Sequence, residues 1–209
     1  KLINGELDIG LVPVAVLPKM KEYHVISNYC IACDGEVVSV CLFSEVPLAA
    51  IETIILDYQS KTSVALLKIL LQEHWKISPE LIFGEIGYEN KISGTTAGLV
   101  IGDRAFEQRL KSKYIYDLGS AWKEMTGLPF VFAAWVSNKK LDNTFLAEFN
   151  KTVAVGLNNL EEIVAKQDYK YFDLMEYYRK YIQFEISNKI GKILNIFLQK
   201  KIFRILNQY

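Results

Sequence analysis

The chain has 209 residues, 51% of them hydrophobic, with 24 basic and 24 acidic side chains, enough apolar material to bury a core in one or two domains. A formal net charge of +0, with no long basic block interleaved with aromatics, gives no field for a polyanion and argues against nucleic acid as a partner. No apolar run reaches the length of a membrane span without a charged or polar break, so no membrane span is expected.

"KLINGELDIGLVPVAVL" opens in mid-element with a helix-like fragment, a Gly-containing turn and then a strand, as though its natural beginning were missing. "YHVISNYCIACDG" and "EVVSVCLFSEV" follow as β-rich runs and hold all three cysteines, Cys30, Cys33 and Cys41. The odd count, with no second cluster, fits a reducing compartment such as the cytoplasm better than a disulfide framework. On a strand, Cys30 and Cys33 point to opposite faces. No second pair and no His cluster is available to complete a zinc site, so buried structural thiols and no metal are expected. His24 and His74 are likewise isolated.

"IETIILDY" reads as a strand leading into a helix over 62–75, and "PELIFGEIG" and "TAGLVIGDRAF" as strands with Gly at their ends. "FEQRLKS" is a short helix, "YIYDLGSAWKEMTG" a strand end and helix, and "LPFVFAAWVSN" an apolar central strand. From Asp142 onward the pattern is helical. The alternation predicts an α/β protein. Apolar strands near 37–44 and 129–136 bracket the middle segment, which suggests lobe one from 1–45 and 130–209, lobe two from 46–129, and a cleft between them as ligand site. The tail "NKIGKILNIFLQKKIFRIL" is amphipathic and is expected to cover its own lobe or a second subunit, as in a homodimer, rather than a membrane surface.

In "LDYQSKTSVALLKILLQEHW" the helix has no Asp or Glu in its first turn. A helix start carries unpaired N–H groups and partial positive charge, which favour an anion, and Ser60, Thr62 and Ser63 add hydroxyl donors. Ordinary capping by Ser60 or Thr62, with Asp57 nearby, is the competing explanation.

Five segments in series, "GELDIGLVPVAVL", "CDGEVVSVCLFS", "LDYQSKTSVALLKILL", "AGLVIGDRAF" and "DLGSAWKEMTGLPFVFAAWVSN", resemble the chorismate dehydratase family of the futalosine route to menaquinone over nearly the whole chain. The resemblance implies a two-lobed type II periplasmic-binding-protein-like fold with a central cleft. It also implies a cytoplasmic enzyme, a carbon–oxygen lyase without cofactor, acting on the dianion chorismate. Ser39 matches the serine associated with the family's active site, reached through a turn at Asp34 and Gly35. Ser60, Thr62 and Ser63 are expected to contact substrate, as is Asp103 at the end of "LVIGD", with capping of the helix that starts at Ala105 as its competing role; Leu128 and Pro129 are expected at the hinge and cleft wall and Val12 and Pro13 on the opposite wall. No motif provides a general base, which points to the substrate's own enolpyruvyl carboxylate. The family's N-terminal Asn, in a "Leu-Asn-x-x-Pro"-like motif, has no match in residues 1–20. Two alternatives accompany this reading: the related 1,4-dihydroxy-6-naphthoate synthase, and a solute-binding protein that captures an organic anion without chemistry.

Overall fold

The computed structural model describes residues 1–186. Its strands in chain order are β1 (Ile9–Pro13), β2 (His24–Cys33), β3 (Val40–Ser44), β4 (Thr53–Leu56), β5 (Glu80–Phe83), β6 (Thr96–Ile101), β7 (Tyr114–Asp117), β8 (Phe130–Ser137) and β9 (Gln183–Glu185). Its main helices are α1 (Lys61–Ile69), α2 (Asp103–Arg109), α3 (Leu118–Thr126), α4 (Asn143–Asn158) and α5 (Leu160–Ala165). The described residues divide into two compact units, one built from Lys1–Ala32 and residues 131–186, the other from Cys33–Phe130.

The first unit holds a four-stranded sheet in the order β1-β8-β2-β9. β1 and β8 run antiparallel, with Gly10 opposite Val136 and Val12 opposite Ala134. β1 stops at Pro13, and Val14–Lys19 turns into a 3₁₀ segment whose Val14, Ala15, Val16 and Leu17 are buried. The apolar "VAVL" that read as more strand therefore reaches the core as a tight turn. β9 departs from the helical pattern expected after Asp142. It pairs antiparallel with β2, Tyr29 opposite Glu185 and Ala32 opposite Gln183, and the Ile186 amide donates to the Asn28 carbonyl at 2.6 Å. The unsatisfied backbone groups along the edge of β2 account for this capture.

The second unit holds a five-stranded sheet in the order β5-β4-β6-β3-β7. β4 is parallel to β5 and β6, whereas β3 is antiparallel to β6 and β7. Every residue of β3 is buried, as expected of an interior strand covered on both faces. Cys41, Phe43, Ile55, Tyr88, Ile92, Val100 and Ala105 form one apolar cluster beneath it. α1 starts at its Ser60 cap and buries Ala65, Leu66, Leu67 and Ile69, the spacing of a helix laid on a sheet. The predicted helix over 62–75 is continuous, but Leu70–Trp75 widens to π-helical turns before Lys76 ends it in the left-handed region. Trp75 there meets Tyr116 edge-on with ring centres 6.1 Å apart.

Among the described residues no helix is long and apolar enough to cross a membrane. The amphipathic tail lies outside the described residues.

Candidate functional site

The pairing registers bring several predicted residues to one edge of the five-stranded sheet. Val40 lies opposite Ile101, and Cys41 opposite Asp117, while β4 and β6 run in parallel. The carboxyl ends of β4, β6 and β7 and the amino end of β3 therefore share that edge. Ser60, Thr62 and Ser63 follow β4, Asp103 follows β6, and Ser39 precedes β3. α1, α2 and α3 all begin there, so three helix starts converge where ligands of open α/β sheets commonly bind.

Ser39 is buried, at 3% exposure, and closes an unusual turn. Its amide donates to the Val37 carbonyl at 2.6 Å, and Val38 between them has φ 56°. This is a γ-turn of the rare positive-φ hand on a β-branched residue, costing about 1–3 kcal/mol. The turn is fixed from both sides. The Asp117 carboxylate accepts from the Val37 amide at 3.1 and 3.2 Å and from the Val38 amide at 2.7 Å. Arg109 Nη1 donates to the Val38 carbonyl at 3.2 Å. Hydrogen bonds to a charged partner contribute about 1.5–3 kcal/mol each, so the clamp outweighs the strain. The Ser39 carbonyl in turn accepts from the Gly102 amide at 2.8 Å, which ties the start of α2 to the same turn. Gly102 has φ 63° and ψ −146°, a conformation open essentially to glycine alone.

Asp117 also caps α3, accepting from the Ser120 amide at 2.9 Å. Close approach to this helix start requires a glycine at 119, where a Cβ would lie 2.3 Å from the Gly35 carbonyl oxygen and 2.8 Å from Cys33 Sγ. The expected Asp34–Gly35 turn is thus held against α3, and Asp34 is paired with Lys123 of that helix.

At α1 the chain supplies part of its own cap. Ser60 Oγ accepts from the Ser63 amide at 3.1 Å and lies 2.8 Å from Ser63 Oγ. Asp57 Oδ1 accepts from the Gln59 and Ser60 amides at 2.7 and 3.2 Å. Thr62 and Ser63 are buried, while Ser60 is half-exposed. Asp57 Oδ2 receives Arg104 Nη2 at 2.6 Å, and Arg104 also pairs with Glu89 and donates to Gln59 at 3.1 Å. The Tyr88 hydroxyl lies between Asp57 Oδ2, at 3.0 Å, and the Leu99 carbonyl, sharing its one proton. Burial, and next the Asp57 carboxylate, push the Tyr88 hydroxyl far up, so it stays a donor. This network joins the loop after β4 to the first turn of α2.

Asp103 is exposed as the first residue of α2, with Gly102 at the cap. Leu128 and Pro129 fall elsewhere. They follow Gly127 at the carboxyl end of α3, about 13 Å of helix away from its start, and the Pro129 carbonyl accepts from Trp122 Nε1 at 3.1 Å. Val12 and Pro13 belong to β1 of the first unit. The sequence placed Asp57 only beside the α1 cap and did not single out Arg104, Arg109 or Asp117. A signal was present for two: Asp57 and Asp117 each stand three residues ahead of a Ser at a helix start, a spacing suited to a carboxylate bonding the turn's amides.

The cysteines are free and buried. Burial pushes Cys30 up to about 12; burial, then the Asp117 charge, pushes Cys33 up to about 12. Cys41 is raised by the same two causes. His24 and His74 make surface contacts with Glu22, at 2.7 Å, and Glu124, at 3.5 Å. Among the described residues no group of three or more His, Cys, Asp or Glu side chains is placed to hold a metal ion.

A family model described as menaquinone biosynthesis matches residues 1–194. A chorismate dehydratase from Thermus thermophilus is 31% identical over 157 residues, 66% of this chain and 57% of that protein. One from Campylobacter jejuni is 37% identical over 106 residues, 48% of this chain and 47% of that protein. The chain thus spans about half the length of these curated relatives. Among solved structures, a protein from Archaeoglobus fulgidus matches with a TM-score of 0.70 at 14% identity, over 98% of this chain and 80% of that one. An ABC transporter from Parabacteroides distasonis matches at 0.62 and 14% identity, over 100% and 77%. At such identity the likeness is one of fold, and it agrees with the periplasmic-binding-protein-like α/β fold expected above. With the model matched from the first residue to residue 194, the chain belongs to the menaquinone biosynthesis family, as its resemblance to the chorismate dehydratases of that route implied.

Proposed function

We propose that the protein is a chorismate dehydratase, a carbon–oxygen lyase of the cytoplasm that converts chorismate to 3-[(1-carboxyvinyl)oxy]benzoate. The observation that carries this reading is the similarity to two chorismate dehydratases, in a chain whose residues 1–194 match the menaquinone biosynthesis family model. The sheet edge supports it, because Ser39 and the Ser60–Ser63 start of α1 stand where helix dipoles favour a carboxylate. In the reaction the C–H bond at the ether-bearing ring carbon and the neighbouring C–OH bond break, water leaves, and the ring gains its third double bond. The balance closes without an oxidant, and aromatisation drives it. The protein's task is to orient a dianion and assist one proton transfer. The enolpyruvyl carboxylate takes the ring proton while Ser39 orients it, and the second carboxylate rests at Ser60, Thr62 and Ser63.

Incubating the full-length protein with chorismate should yield the aromatic enol ether, at a rate that EDTA leaves unchanged. Folded protein that binds chorismate and returns it intact would support an anion receptor instead, and loss of turnover on chelation would reveal a metal step.

A further inference from the structure

We infer that Asp117 is a positioning residue for Ser39, acting through the Val37–Val38 peptide that its carboxylate holds; this rests on the catalytic reading of Ser39 proposed above. Asp117 lies on the last residue of β7 and accepts three backbone amides from two segments, Val37 and Val38 ahead of β3 and Ser120 in α3. Helix capping alone needs only the last of these. The other two bonds secure a turn that a valine avoids, with φ 56° at Val38, and that turn sets where Ser39 begins β3. Arg109 completes the grip from the carbonyl side of Val38, at 3.2 Å, and also reaches Cys41 Sγ at 3.4 Å and Glu36 at 3.6 Å. Without the carboxylate, Val38 relaxes to negative φ and the Ser39 hydroxyl shifts relative to the sheet edge. The pair therefore keeps a strained, ready geometry whose purpose is the serine rather than the helix.

The experiment is a double-mutant cycle on full-length protein, with chorismate dehydration followed as kcat and KM for Ser39→Ala, Asp117→Asn and both together. Asp117→Asn is expected to lower kcat by about 10- to 100-fold with KM changed far less, and to have no further effect on kcat once Ser39 is alanine. Arg109→Gln provides a second route to the same turn if the first variant does not fold, with the same non-additive outcome expected. An equal loss of kcat in the presence and absence of the serine hydroxyl, or no loss in folded Asp117→Asn, overturns the inference while leaving the Ser39 role standing. Normal kcat in folded Ser39→Ala removes the catalytic reading itself, and this inference with it.

Discussion

Arg104 illustrates how one residue ties the candidate site to the core. Its partner Asp57 has a fully buried side chain, whereas Arg104 is 27% exposed. Breaking a buried pair by removing one member leaves an uncompensated charge, at a cost of about 3–5 kcal/mol. Arg104→Ala is therefore expected to destabilise by about that much, visible as a lower urea midpoint at unchanged slope. The remaining Gln59 and Ser60 amides and the Tyr88 hydroxyl offset part of the loss. A change under about 0.5 kcal/mol, the range of an exposed pair, would show that Asp57 is held well enough without the guanidinium. Asp57 and Arg104 were not legible as partners in the sequence, because 47 residues separate them and only the parallel pairing of β4 with β6 makes them neighbours.

Helix α1 has two tasks on one cap. Ser60 Oγ satisfies the Ser63 amide, and removing such a cap costs about 1 kcal/mol. In the proposed reaction the same helix start anchors a substrate carboxylate. Ser60→Ala should thus lower stability by about 1 kcal/mol in urea unfolding and raise KM for chorismate while largely keeping kcat, the signature of lost ground-state binding. A stability loss with unchanged KM would reduce Ser60 to a structural cap. The absence of an acid in the first turn of α1 was readable directly from the sequence, and so was the cap. What the sequence left open is that Asp57 already takes the Gln59 and Ser60 amides ahead of the helix, so an arriving anion would complete a partly filled cradle.

For the molecule as a whole, the buried thiols set an alkaline limit. Unfolded, Cys30 and Cys33 lose their protons near the ordinary thiol value of about 8.5; folded, each keeps its proton up to about 12. Between those values the native state binds more protons than the unfolded one. Stability is therefore fully present below the unfolded value and falls as pH rises above it, by about 1.4 kcal/mol per pH unit for each thiol. Urea unfolding between pH 8 and 10.5 should show this fall, and Cys33→Ala should reduce its slope by one thiol's share. An unchanged slope would place that thiol in contact with solvent in the native protein. The cysteines also show how burial could be anticipated: an apolar run with no second ligand cluster left core packing as their role.

The sequence by itself determined the α/β class, the order of nearly every strand and helix, the α1 cap and the buried cysteines, since each depends on local periodicity or on side chains a few residues apart. It also carried the family resemblance. Only the tertiary structure decided which of these pieces meet. "VAVL" became a turn because Pro13 ends the strand, and Gln183–Glu185 became a strand because β2 offered an open edge. Asp117 became a clamp on Val37 and Val38 because antiparallel pairing sets Cys41 opposite it. Such contacts join residues about 80 positions apart; their energy depends on sheet register, which no local pattern encodes.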